Sequence, residues 1–293
     1  MYKKGVTMQF LGTAAADALP GPFCACPICE DARRHPERMR LRSMFLLDEK
    51  NLIDCGPDLA AAAMKHRLNL SGLERIFITH THEDHFCPSN AGLLSMSRTR
   101  SGVPMDVYLS QGAYEQVLLL LKTLGDAFDY FDAAHCVNNA LIRLHPLATG
   151  IIHPLGDYRV MAVDTTHRVS PRETAINYRF ERVDGLKLLY ACDTGLYEET
   201  TLEMLRGSRV DILVMEATWG SRTDTDARSH LSGTTYLQML DAMLQADIIR
   251  ADTCCYATHI NHKHDFNHDA FQKWFDHNTP FSVTVAYDGL ILH

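Results

Sequence analysis

Residues 79–85 read Thr79-His80-Thr81-His82-Glu83-Asp84-His85. Three imidazoles and a carboxylate within six positions cannot all turn into one core. His80 and His82 stand two apart and can share one face of an extended turn. Asp84 and His85 then point to a neighbouring position. These are the donor types that divalent metals such as zinc and manganese accept. The spacing suits two ions side by side, one held by each pair. A dinuclear site of that kind lowers the pKa of a bridging water and clamps phosphoryl oxygens.

Other candidates stand after apolar runs. His167 follows Val163-Asp164-Thr165-Thr166, Asp193 closes Leu188-Leu189-Tyr190-Ala191-Cys192, and His259 closes Cys255-Tyr256-Ala257-Thr258. A second cluster, Cys24-Ala25-Cys26-Pro27-Ile28-Cys29, supplies three thiolates of a tetrahedral zinc site. The fourth ligand must come from elsewhere. His262 in Thr258-His259-Ile260-Asn261-His262 is the candidate. The rival reading of the cysteines is a redox site.

The elements that must carry these groups are short strands alternating with helices. Strands are expected at 6–11, 44–47, 51–54, 75–79, 105–109, 158–163, 174–180, 186–192, 210–215, 253–257, 282–286 and 290–292. Helices are expected at 58–67, with Asp58 as N-cap, and at 111–122, 232–245 and 269–277. The bunching of strands suits two packed sheets covered by helices within one domain, 1–293. Segment 125–154 is the least readable, and 102–154 is a candidate insertion beside the site. Cys254 and Cys255 read as core thiols, and residues 117–124 as a packing face. Lys263, His264 and His268 read as a solvated loop. No substrate role is given to His135, His145 or His153.

The order His80-x-His82-x-Asp84-His85, His167, Asp193, His259 resembles the metallo-β-lactamase superfamily. Phe10-Leu11-Gly12-Thr13, Leu52-Ile53-Asp54-Cys55-Gly56 and Ala286-Tyr287-Asp288-Gly289 extend the likeness over nearly the whole chain. The resemblance implies an αββα sandwich with a dinuclear centre at one edge of the two sheets. By it, His80, His82 and His167 hold one ion. Asp84, His85 and His259 hold the other, and Asp193 bridges. The cysteine cluster with Thr258-His259-x-x-His262 is similar to the phosphoribosyl cyclic phosphate phosphodiesterases of the carbon–phosphorus lyase pathway. It is also similar to the pyrroloquinoline quinone biosynthesis B proteins. That likeness implies a structural zinc on Cys24, Cys26, Cys29 and His262, and a homodimer. Glu216 and His230 resemble a pair in the tRNA 3′-processing endonuclease branch, where the carboxylate orients an imidazole that assists the leaving group. The catalytic set is then Asp84, His230 and Glu216.

The function this implies is hydrolysis of a small cyclic or nucleotide-like phosphodiester through a metal-bridging hydroxide, with Mn or Zn. A tRNA 3′-processing-type endonuclease and a non-hydrolytic cofactor-biosynthesis protein are the alternatives. Composition bears on these classes. In 293 residues, 28 Lys and Arg stand against 36 Asp and Glu, a net charge of −8. No basic stripe suited to long nucleic acid stands out. The 46% apolar content is enough for a full core and excludes global disorder. The longest apolar run, 59–64, is far too short to span a membrane. Met1-Tyr2-Lys3-Lys4-Gly5 is followed by no long apolar segment, so a cytoplasmic chain is expected, with its nine cysteines as thiols or ligands.

Overall fold

The computed structural model describes residues 8–90, 93, 104–124 and 142–292. Among these residues, each of two sheets has seven strands. The first runs β14 (Ile291–Leu292), β1 (Met8–Gly12), β2 (Met44–Asp48), β3 (Asn51–Ile53), β4 (Arg75–Phe77), β5 (Met105–Ser110), β6 (Ile142–Leu147). The second runs β13 (Val283–Val285), β12 (Cys254–Thr258), β11 (Ile212–Glu216), β10 (Lys187–Ala191), β9 (Glu173–Arg182), β8 (Tyr158–Ser170), β7 (Ile152–Leu155). Strands β3 to β6 are mutually parallel, as are β10 to β13. The others pair antiparallel.

Period-2 alternation builds the layers. Ile212 and Val214 face the inter-sheet core with Phe45, Phe77, Tyr178 and Phe180, whereas Leu213 and Met215 face the helices. The outer face of the second sheet is covered by α4 (Glu199–Leu205), α5 (Gly233–Gln245) and α6 (His268–Asn278), through residues such as Leu205, Tyr236 and Phe271. The first sheet is covered by α2 (Leu59–His66) and α3 (Gln111–Leu124), through Leu59, Ala62 and Val117. This is the αββα order that the resemblance implies.

Several expectations change. Helix α1 (Pro27–Arg34) was not read from the sequence. Cys26 caps it, its sulfur accepting from Cys29 N, and Pro27 opens it where a missing N–H costs nothing. Strands β6 and β7 and helix α4 were also unread. Within 102–154, the described residues give β5, α3, β6 and β7, so this stretch is woven into both sheets. Residues 125–141, His135 among them, and the side chains of 121–124 lie outside the described residues. Asp58 does sit at the N-cap of α2, but its carboxylate accepts from Arg42 N and Nη1 instead of from the helix. Cys255 is buried but Cys254 is exposed, because neighbours on a strand point to opposite faces.

Candidate metal centre

The carboxyl ends of the parallel strands meet along one edge of the sandwich, where open sheets generally place ligands. Asp54 follows β3, the His80–His85 segment follows β4, Asp193 follows β10, Glu216 ends β11 and His259 follows β12. Asp54, Asp193 and His259 all adopt left-handed backbone, with φ of 62°, 54° and 56°. The chain turns sharply at each strand end and aims the side chain inward. His167 is placed differently from the expectation. It lies inside β8, where pairing with β9 slips between Asp164 and Arg168, and the irregularity re-aims its ring.

Two sets of donor atoms converge. His80, His82, His167 and Asp193 offer atoms all within 4.8 Å of one another. So do His85, Cys192, Asp193 and His259. Asp84 joins the second group, with Oδ2 at 3.2 Å from His85 Nε2 and 3.5 Å from His259 Nε2. Asp193 serves both: Oδ2 lies 3.3 Å from His80 Nε2 and 3.4 Å from His85 Nε2, and Oδ1 lies 3.0 Å from His259 Nε2. Donors at metal-bond lengths of about 2.0–2.1 Å in a tetrahedron would stand about 3.3 Å apart, so these spacings fit an ion in each set.

The tautomers point the same way. His85 Nδ1 donates to Asp54 Oδ2 at 2.7 Å, His259 Nδ1 to Thr218 Oγ1 at 2.8 Å and His167 Nδ1 to the Ser229 carbonyl at 2.9 Å. Each outer proton is thereby fixed, and Nε2 presents a lone pair inward. His85 Nε2 then faces His259 Nε2 at 3.3 Å. On the other side, His80 Nε2 and His82 Nδ1 stand 2.9 Å apart. The opposed lone pairs of His85 and His259 call for positive charge between them.

The charges around these groups make the same demand. Burial opposes charge on Asp193, yet the imidazoles of His259 and His85 hold it well below the usual carboxylate range. Burial also works against a charged His259, but Asp193 and Asp84 raise it to about 10. His80 is pushed down to about 3 by burial and by neighbouring His85.

Beside the centre, the buried Glu216 is saturated with donors. Its Oε1 accepts from Thr194 N and His230 Nδ1, both at 2.8 Å, and its Oε2 accepts from Leu231 N at 3.1 Å and from Thr218 Oγ1. Thr218 thus links Glu216 to His259. Although burial disfavours a charged His230, the carboxylates of Glu216 and Asp193 raise its pKa above the ordinary value. His230 stands where Ser232 starts α5 with a reciprocal side-chain cap on Thr235.

The three cysteines of the 24–29 cluster and His262 stand together. Cys24, Cys26, Cys29 and His262 bring their ligand atoms within 4.8 Å. His262 Nδ1 lies 3.6 Å from Cys24 Sγ and 3.7 Å from Cys26 Sγ. A zinc tetrahedron with bonds of about 2.3 Å to sulfur and 2.0–2.1 Å to nitrogen has edges of about 3.6 Å. The eight described cysteines are all free.

Sequence reasoning missed Asp54, Thr218 and Cys192. Asp54 stood in a quoted strand motif, and a carboxylate closing an apolar strand was its only signal. Lys263 is exposed, as a solvated loop requires, but His264 and His268 depart from that reading. His264 is buried against Phe266 and Phe271, and burial lowers it to about 4. His268 lies 3.0 Å from the buried Arg40 Nη2, and Lys263 lines the metal-centre cleft.

Comparison with known proteins agrees with this arrangement. The chain matches the beta-lactamase superfamily domain over residues 50–260. It belongs to that superfamily. The match takes in all seven candidate ligands of the paired site and stops short of His262 and the cysteines. A new diphosphatase from the PhnP family has a similar fold, with a TM-score of 0.72 and 23% identity, covering 98% of this chain and 96% of that one. The Zn(2+)-bound PqqB of Methylobacterium extorquens also has a TM-score of 0.72, with 21% identity and 98% and 99% coverage. Ribonuclease Z from Picosynechococcus sp. is 27% identical over 181 residues, 60% of this superfamily member and 47% of the ribonuclease. The chain therefore spans about half the length, or less, of the first curated relatives it matches. Among the described residues, no helix is long and apolar enough to cross a membrane.

Proposed function

We propose that this chain is a metal-dependent phosphodiesterase acting on a small cyclic or nucleotide-like diester. One observation carries the reading: two histidine sets share the Asp193 carboxylate, next to a histidine that Glu216 orients. His80, His82, His167 and Asp193 would hold one divalent ion. His85, Asp84, His259 and Asp193 would hold a second, Mn or Zn in each case. Such ions polarise phosphoryl oxygen and lower the pKa of water. Cys24, Cys26, Cys29 and His262 would hold a structural zinc that fixes the loop beyond His259, and four protein ligands leave it no open position.

The chain's own residues do the rest. Asp54 and Thr218 lock the tautomers of His85 and His259. His230 Nδ1 is held by Glu216 at 2.8 Å, and among the described residues Nε2 has no hydrogen-bond partner. That leaves Nε2 to give a proton to the departing oxygen. Replacing His230 by alanine should lower kcat by ~10²–10⁴-fold with metal content unchanged, as loss of a general acid does. The loss should be larger for an alkyl leaving group than for p-nitrophenol, which departs without help. Equal losses for both would refute the proton-donor role.

Similarity to ribonuclease Z favours a second reading, cleavage at a tRNA 3′ end. The net charge of −8 weighs against it. The deciding experiment is a substrate panel with Mn or Zn: bis(p-nitrophenyl) phosphate, a phosphate monoester, a thioester, a lactone and a tRNA precursor. Turnover of the diester alone is the expected result. No diester turnover with metals bound would overturn the reading in favour of the other hydrolases or of a non-hydrolytic role.

A further inference from the structure

Glu173 opens β9 and is only 2% exposed. Both of its oxygens go to one residue. Oε1 accepts from Thr81 N at 2.7 Å, and Oε2 accepts from Thr81 Oγ1. Among the described residues, no lysine, arginine or histidine forms an ion pair with Glu173. Burying a carboxylate without a cation is costly, so its place calls for a reason. Thr81 stands between His80 and His82, two candidate ligands of one ion.

The rest of β9 grips the same segment. Ile176 N donates to the Thr79 carbonyl at 2.9 Å, and Tyr178 Oη to the Ile78 carbonyl at 2.7 Å. The β8–β9 hairpin pairs Ser170 with Glu173, and its other arm carries His167, the third imidazole of that set. The hairpin tip is braced as well. Gly112, in the first turn of α3, lies so close to the Arg172 carbonyl that a Cβ would not fit.

His82 is the ligand that needs this grip. His80 Nδ1 has Thr79 Oγ1 at 3.0 Å, and the outer nitrogens of His85, His167 and His259 are held by Asp54, Ser229 and Thr218. His82 Nδ1 faces His80 and His167, at 2.9 and 3.3 Å, and among the described residues its Nε2 has no hydrogen-bond partner. With no outer partner to aim the ring, the backbone must aim it. On one side, the His82 carbonyl accepts from His85 N and Phe86 N, at 3.0 and 2.9 Å. On the other side, the anchor is Thr81 on Glu173.

Resting on the paired metal centre in the reading above, we propose that Glu173 is a positioning residue. Through Thr81 it sets the His82 ring for the ion that His80, His167 and Asp193 share.

The test is zinc per chain after equilibrium dialysis against buffered free zinc, which needs no turnover. The wild type should hold three equivalents. Glu173→Ala should weaken one of them by roughly 10–100-fold, the span for a lost outer partner of a metal ligand, and leave the other two in place. His82→Ala should displace the same step of the curve. Glu173→Gln should keep most of the affinity, since its amide oxygen still accepts from Thr81 N and its amide nitrogen can donate to Thr81 Oγ1.

A zinc curve unmoved by Glu173→Ala overturns the inference. So does an equal weakening of all three equivalents with a lowered Tm, the mark of a merely structural role, or a Glu173→Gln variant as weak as Glu173→Ala. Should Glu173→Ala fail to fold, Thr81→Val removes the hydroxyl and keeps the shape. It should weaken the same step, and an unmoved curve there overturns the inference equally. In all these cases the paired centre stands. A wild type that holds only one zinc per chain strikes instead at the reading beneath, and takes the inference with it.

Discussion

Asp193→Ala should abolish diester turnover and reduce the metal bound at the paired site. Among the described residues, Asp193 is the one carboxylate that approaches imidazoles of both sets, at 3.3 Å from His80 and 3.0 Å from His259. Loss of a mere outer partner of a metal ligand costs ~10–100-fold in affinity or activity, and a shared ligand should cost more. Removing a buried carboxylate also leaves imidazoles crowded with less compensation, so partial loss of fold stability should accompany the lost activity. Asp193→Asn separates the two effects, because asparagine tolerates the left-handed backbone while withdrawing the charge. Metal analysis beside kinetics checks the outcome. Full activity with two ions retained in either variant would reject the shared-site reading.

Cys26→Ser should act elsewhere and leave the chemistry alone. Cys26 both faces His262 and caps α1, so its sulfur ties the 24–29 loop to the loop beyond His259. Structural zinc contributes about 10–16 kcal/mol in small zinc-finger peptides. Here Leu19, Cys29 and Ala32 form a small apolar cluster of their own that should hold part of the loop in place. Losing even about 3 kcal/mol of the zinc contribution should lower Tm by roughly 6–12 °C, at about 2–4 °C per kcal/mol. One metal equivalent should vanish, and kcat on bis(p-nitrophenyl) phosphate should persist at temperatures well below the new Tm. Loss of the paired metals before the zinc would show that the two sites are not separate.

The density of donors made the centre legible. Three histidines and an aspartate in six residues have few uses besides ligation, so the 80–85 segment declared itself. Asp193 and His259 needed that anchor, since single polar residues after apolar strands are common. Asp54 stayed hidden for the same reason, although it holds His85 at 2.7 Å. His167 was readable as a candidate but not as part of a long strand, because the slipped pairing of β8 breaks the alternation that marks a strand. Polar content alone suggested a solvated loop for Lys263 and His264. Only long-range pairing, Ile260 with Thr13, shows that this loop folds back against the first strand of the other sheet. Strands β6 and β7 escaped because charged and proline residues interrupt their patterns, as in Ile142-Arg143-Leu144-His145-Pro146-Leu147.

The left-handed backbone at Asp54, Asp193 and His259 has a consequence for how this chain could change. Each such residue carries on the order of 1–3 kcal/mol of conformational cost, which glycine would relieve. Glycine would relieve that cost equally at Ala18, Arg67, Arg209 and Asp247, but at Asp54, Asp193 and His259 it would also remove a candidate ligand or its support. Robustness can therefore be gained by glycine at four of the left-handed α-carbons, whereas at the other three it competes with the proposed chemistry.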